Sequence, residues 1–124
     1  MKALLIIAHG SRREASNDEV RRLVFDLKAR AGDDGFESVS CAFLELAEPS
    51  IPDAVDACVS DGATEITVLP YFLSAGRHVV EDIPAELDIG RRRHPDVTLR
   101  VLPYVGAESG MRDLILEMVG QGRA

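Results

Sequence analysis

The chain has 124 residues, 46% of them hydrophobic, which fits one domain with a sizeable core. Its 21 acidic and 14 basic residues give a net charge of -7, which argues against general nucleic-acid binding and against docking on anionic lipid. No apolar run approaches the ~20 residues of a membrane span and the N-terminus shows no secretion signal, so a cytoplasmic protein is expected.

The first element is "ALLIIA" (3–8), a continuous apolar and partly β-branched run that suits a strand covered on both faces. It ends on His9, followed by Gly10, Ser11, Arg12 and Arg13. From Glu14 to Ala31, Val20, Leu23, Val24, Leu27 and Ala31 fall at helical spacing, and "GDDG" (32–35) breaks the pattern. "SVSCAFLEL" (38–46) reads as a second strand. Ser50 then caps a helix whose apolar stripe is Ile51, Ala54, Val55, Cys58 and Val59. "EITVLPYF" (65–72) is a third strand, and a third helix runs from near Asp82 to about Arg92. "VTLRVLPYV" (97–105) is a fourth strand, and Met111, Leu114, Ile115, Met118 and Val119 mark a closing helix.

Four strand–helix units in a row imply a single α/β domain spanning residues 1–124. It is expected to have three layers, with a parallel four-stranded sheet, doubly wound in the flavodoxin-like manner. "TVLPY" (67–71) and "RVLPY" (100–104) echo each other one unit apart. Cys41 and Cys58, seventeen apart, make no CxxC pair and no zinc spacing, and read as small core residues. "RRR" (91–93) favours a helix C-terminus and reads as a solvated face, and His94, before Pro95, reads as a surface residue at the opposite edge of the sheet.

In such sheets ligands bind outside the carboxyl ends of the strands. His9 follows strand one, Glu45 ends strand two, and Arg77 and His78 follow strand three. Each alone has a plainer reading: a loop histidine bonded to backbone, a solvent-facing strand end, a helix cap. Together, two imidazoles and a carboxylate can hold a divalent first-row metal with positions left open for substrate. Gly10 and Gly76 allow close backbone approach or positive φ, and Gly10-Ser11 precedes a helix start, a natural anion site. Neither GxxxxGK[ST] nor GxGxxG is present, so no nucleotide is expected.

"AHGSRR", "FLELAEPSI" and "LPYFLSAGRHVVEDIP", in that order after three successive strands, resemble the small CbiX-type class II chelatases. These are the sirohydrochlorin cobalto- and ferrochelatases, and the likeness runs from Lys2 through "LPYVG". It implies a chelatase-like fold and a lyase that inserts Co²⁺, Fe²⁺ or Ni²⁺, as substrate, into sirohydrochlorin without ATP, in cobalamin or siroheme synthesis. By motif match His9 and His78 correspond to metal-handling histidines and Glu45 to the site carboxylate. Gly10, Ser11, Arg12 and Arg13 from the first motif, and Ser74, Gly76 and Arg77 from the third, are expected to meet the substrate. Arginine forks suit its carboxylates, and Leu46, Phe72 and Leu73 suit the flat ring. Many members are twice this length, with two such domains around one cleft, so a homodimer is implied. The competing reading is a non-catalytic carrier of metal or tetrapyrrole on the same site.

Overall fold

In the computed structural model, which describes residues 1–122 with the side chains at 78, 121 and 122 outside the described set, the first apolar run forms strand β1 (Lys2–Ala8). Ala3, Leu5, Ile6 and Ile7 are fully buried, as a strand covered on both faces requires. Burying each of the larger three contributes roughly 1.5–3 kcal/mol. Helix α1 (Glu14–Ala31) and a 3-10 turn at Gly32–Asp34 lead to β2 (Ser38–Phe43). Helix α2 (Ile51–Ser60) leads to β3 (Glu65–Pro70), and α3 (Ile83–Arg93) to β4 (Thr98–Val101). A second 3-10 turn (Val105–Ala107) precedes α4 (Ser109–Gly122).

The sheet order is β2-β1-β3-β4 and every pairing is parallel. From β1 the chain steps outward to β2, then crosses back to β3 and β4. The reversal lies between β1 and β3, the place where ligands bind at the carboxyl ends of such sheets. On one face Ile6, Val39 and Leu69 meet Val24, Leu27 and Ala31 of α1. On the other, Leu5, Ile7, Ile66 and Val68 meet Ile51, Val55 and Cys58 of α2 and Ile83 and Leu87 of α3. The result is the expected parallel four-stranded α/β domain with helices on both faces. The echo of "VLPY" is in register, since Thr67 pairs with Arg100 and Val68 with Val101. No helix of the described residues is long and apolar enough to cross a membrane.

One expectation changes. Strands three and four are shorter than their apolar runs, ending at Pro70 and at Val101, because a proline has no N–H for the ladder. The third helix starts at Ile83, next to the expected Asp82, and follows a π turn at His78–Asp82 that the sequence did not announce; Pro84 falls in its first turn where the missing N–H costs nothing. The stripe of α4 is not buried: Leu114, Ile115, Met118 and Val119 are 48%, 51%, 60% and 54% exposed, and Leu116 beside them is 67% exposed. This helix leaves from a turn pinned by Gly106 N–H donating to Phe72 O at 2.9 Å, and packs chiefly on that turn. Both cysteines are free; Cys58 is buried and Cys41 half-buried, and burial pushes both thiols up.

Candidate functional site

The β1–β2 ladder continues past the last residue of β2. Leu44 N–H donates to Ala8 O at 2.9 Å and Glu45 N–H to His9 O at 3.0 Å. These bonds carry both chains to the carboxyl edge side by side. Gly10 then turns away at φ +92, and a Cβ there would collide with the Glu45 carbonyl oxygen. Only glycine accepts both the positive φ and this approach. Leu46, at φ 65, turns the other chain. Arg21 on α1 holds the outgoing loop: its guanidinium lies over the Phe43 ring at 5.3 Å, reaches Glu48 O at 3.5 Å, and pairs with Glu14 and with Asp18. The Arg21 hydrogen bond keeps the Glu14 carboxyl below the ordinary carboxylate range.

The outcome is a side-chain pair. His9 Nε2 lies 3.1 Å from Glu45 Oε1. The two side chains are 43% and 51% exposed, so the pair is open to a ligand, although Nε2 itself is shielded from solvent. The other ring nitrogen, Nδ1, is 3.1 Å from Gly10 O. A carbonyl oxygen only accepts, so Nδ1 carries the hydrogen in this contact. In the neutral ring with that tautomer, Nε2 is an acceptor that faces a carboxylate oxygen. Two acceptors at that distance call for a positive centre between them, either a proton or a metal ion.

The other expected residues fall around this pair as follows. Ser11 N–H donates to Asn17 Oδ1 at 2.9 Å and Ser11 Oγ accepts from Arg13 N–H at 3.0 Å, so these donors are already engaged. Helix α1 begins at Glu14 with Arg13 as its N-cap, and an anion at this helix start would be met by the exposed Arg12 and Arg13 side chains. Position 78 heads the π turn that follows β3 at the same edge; the His78 side chain lies outside the described residues. Arg77 is exposed, with Nε 3.8 Å from Glu81 Oε2, and Ser74 is exposed as well. Gly76 has no positive φ and open space around it, so of the two uses expected there the positive φ is not taken up. Leu46 and Leu73 are 53% and 71% exposed at the same edge, and Phe72 is half-buried. Among the described residues no group of three or more His, Cys, Asp or Glu side chains converges; His9 and Glu45 form a pair.

Two residues escaped the sequence reading. Asn17 is 1% exposed and brackets Ser11 from behind. Its signal was positional: it extends the Val20, Val24, Leu27, Ala31 stripe of α1 by one turn, placing an amide where an apolar residue belongs. His94 is not a plain surface residue. Its Nε2 lies 2.6 Å from Asp56 Oδ1, and Arg93 is 2.8 Å from the other oxygen, which together tie α3 to α2 at the opposite edge. The hydrogen bond from His94 holds the Asp56 carboxyl below its ordinary value.

Comparison with known proteins adds the family of the chain. The CbiX family model matches residues 3–121. The chain is 33% identical over 116 residues to the chloroplastic sirohydrochlorin ferrochelatase of Arabidopsis thaliana, covering 94% of this chain and 50% of that protein. It is 36% identical over 94 residues to the sirohydrochlorin cobaltochelatase of Methanocaldococcus jannaschii, covering 76% of this chain and 64% of that one. Among solved structures, a putative cobalamin biosynthesis CbiX protein from Marinobacter aquaeolei VT8 superposes with a TM-score of 0.77 at 28% identity, covering 98% of this chain and 99% of that chain. The sirohydrochlorin chelatase SirB from Bacillus subtilis subspecies spizizenii, in complex with cobalt, superposes with a TM-score of 0.79 at 32% identity, covering 86% of this chain and 44% of that chain. The chain spans about half the length of the first curated relatives it matches.

Proposed function

The chain belongs to the CbiX family, and from that premise we propose that it inserts a divalent metal ion into sirohydrochlorin, with His9 and Glu45 as the working pair. The observation that carries this reading is the facing of two acceptors, His9 Nε2 and Glu45 Oε1, 3.1 Å apart at the carboxyl edge of the sheet. A first-row ion about 2.1 Å from each atom would subtend an angle of about 95°, suited to a centre that keeps other positions open for water and pyrrole nitrogen. His78, from the motif after β3, is the proposed further ligand.

Insertion asks for two things at once. The hydrated ion must shed water, and the macrocycle must release two pyrrole protons as its nitrogens become ligands. Imidazole and carboxylate ligands take the place of the lost water. As the ion passes to the ring, Nε2 and Oε1 become free acceptors for the departing protons, so the groups that deliver the metal also receive the protons. Holding ion and ring face to face makes the exchange effectively intramolecular. No nucleotide enters this scheme, because ligand exchange and proton transfer drive it.

The net charge is -7, so attraction of a polycarboxylate must be local. Arg12, Arg13 and Arg77 are proposed to take substrate carboxylates, with Leu46 and Leu73 as apolar walls. A second copy of the chain is proposed to cover the opposite face of the ring, giving a homodimer. The exposed apolar stripe of α4 supports an association that removes it from water. A water-borne polycarboxylate substrate makes the cytoplasm the proposed site of action. Cobalt and iron appear in the names and titles of relatives, and nickel fits the same donors. Purified protein with sirohydrochlorin and Co²⁺, Fe²⁺ or Ni²⁺ in parallel tests the reading by absorbance. Spectral conversion faster than the protein-free background with one metal supports it. Binding of metal or tetrapyrrole without acceleration would identify a carrier instead.

A further inference from the structure

We propose that Asn17 is a positioning residue that sets the His9 imidazole against Glu45 by clamping the intervening loop; this rests on the reading of His9 and Glu45 as the working pair. Asn17 is 1% exposed, and its side chain is committed on both sides of one residue. Its Oδ1 accepts from Ser11 N–H at 2.9 Å and its Nδ2 donates to Ser11 O at 2.8 Å. Nδ2 also donates to Glu14 Oε2 at 3.4 Å. Ser11 is two residues beyond His9, and Gly10 between them is pressed against the Glu45 carbonyl. The loop is thus held from the front by the Glu45 backbone and from behind by the Asn17 amide. The His9 ring is tied to the same loop through Nδ1 and Gly10 O. Moving Ser11 therefore moves Gly10 O, the atom that fixes the imidazole tautomer and its direction.

The choice of residue is informative. Asparagine is a poor helix former, and an apolar side chain at this stripe position would extend the core without burying an amide. Only a side chain with a donor and an acceptor in one short plane brackets both the N–H and the C=O of Ser11. Aspartate lacks the donor and would set a second carboxylate near Glu14. Leucine fills the volume with neither group. The helix start also has no side-chain cap of the ordinary kind, since its N-cap is Arg13 with no capping side-chain bond. The amide of Asn17 is what fixes the chain entering α1.

The test compares wild type, Asn17→Leu and Asn17→Asp in the full chain. Histidine ring signals are followed by NMR in ¹³C,¹⁵N-histidine-labelled protein, assigned through His9→Gln, and kcat and KM are measured for Co²⁺ insertion into sirohydrochlorin. The expected result is a displaced His9 signal with the His94 signal unmoved, and kcat lowered roughly ten- to a hundredfold at an unchanged KM. If either variant that melts cooperatively keeps the wild-type His9 signal and the wild-type kcat, Asn17 is a packing residue and the proposal is overturned. If Asn17→Leu fails to fold, Asn17→Asp carries the same comparison. Should the wild type insert no metal at all, the chelatase reading fails, and the His9 signal alone still decides whether Asn17 positions the ring.

Discussion

His9 and Glu45, which follow neighbouring parallel strands, are joined twice: Glu45 N–H donates to His9 O at 3.0 Å, and His9 Nε2 lies 3.1 Å from Glu45 Oε1. Backbone and side chains thus agree on one register. A one-residue slip of β2 would send the carboxylate to the other face of the sheet and undo the pair.

Gly10 is the hinge of that register. Its φ of +92 and its contact with the Glu45 backbone leave no room for a methyl group. Gly10→Ala is expected to cost at least about 2 kcal/mol of folding stability, since strain and collision act together. Gly76→Ala is the control: with negative-region backbone and open space it should be neutral or stabilise by up to about 1 kcal/mol. Urea titrations of the two variants check this, and equal costs would contradict it.

If the proposed metal ion sits between Nε2 and Oε1, it takes the place a proton would fill, because metal ligands bind in their deprotonated form. Metal binding must then release the proton, and affinity for Co²⁺ should rise with pH until the proton is already gone. Calorimetry in two buffers of different ionisation enthalpy measures the protons released directly. Binding with no proton exchange and no pH dependence would contradict the facing of two acceptors.

At the far edge, Asp56 is held below its ordinary value by His94. The sign follows: a depressed carboxyl contributes stability that is present above its unfolded value and is lost as pH falls through its folded value. The side chains of His94 and Asp56 are 24% and 40% exposed, so solvent screening limits the contribution to about 1 kcal/mol or less. His94→Ala should lower the melting temperature slightly at neutral pH and flatten the acid limb of the stability profile. Metal binding at the carboxyl edge should be unchanged.

The apolar stripe of α4 makes a prediction about assembly. Light scattering of the purified protein at tens of micromolar should give twice the chain mass, in the range where an ordinary micromolar interface holds. Met118→Glu, at the most exposed of the stripe residues, should shift it toward the monomer. A strictly monomeric wild type that turns over would contradict the proposed dimer.

Most of the frame was legible in the sequence because it depends on local pattern. The run before His9, the stripe of α1 and the Ser50 cap, whose Oγ accepts from Asp53 N–H at 3.3 Å, are properties of short stretches. The meeting of His9 with Glu45 was also legible, since strands that run parallel release their next residues at one edge. What was not legible depends on distant partners. The exposure of α4 follows from a short β4 and a turn fastened to Phe72, neither of which marks the helix itself. Asn17 looked like one more polar helix residue until Ser11 folded back upon it, and His94 looked solvated until Asp56, from a helix two elements earlier, came within hydrogen-bond distance.

The most direct measurement is the initial rate of sirohydrochlorin metallation by Glu45→Gln at saturating metal, beside a thermal melt. Glutamine keeps the shape of the side chain and removes its charge and most of its basicity. At a 51% exposed position the melt should stay within about 0.5 kcal/mol of wild type. The account predicts that the rate falls by the roughly 10²–10⁴-fold typical of a general acid–base group, with His9→Ala falling alongside it. A Glu45→Gln protein that melts normally and inserts metal at the wild-type rate would contradict it, because the carboxylate facing His9 would then have no part in the reaction.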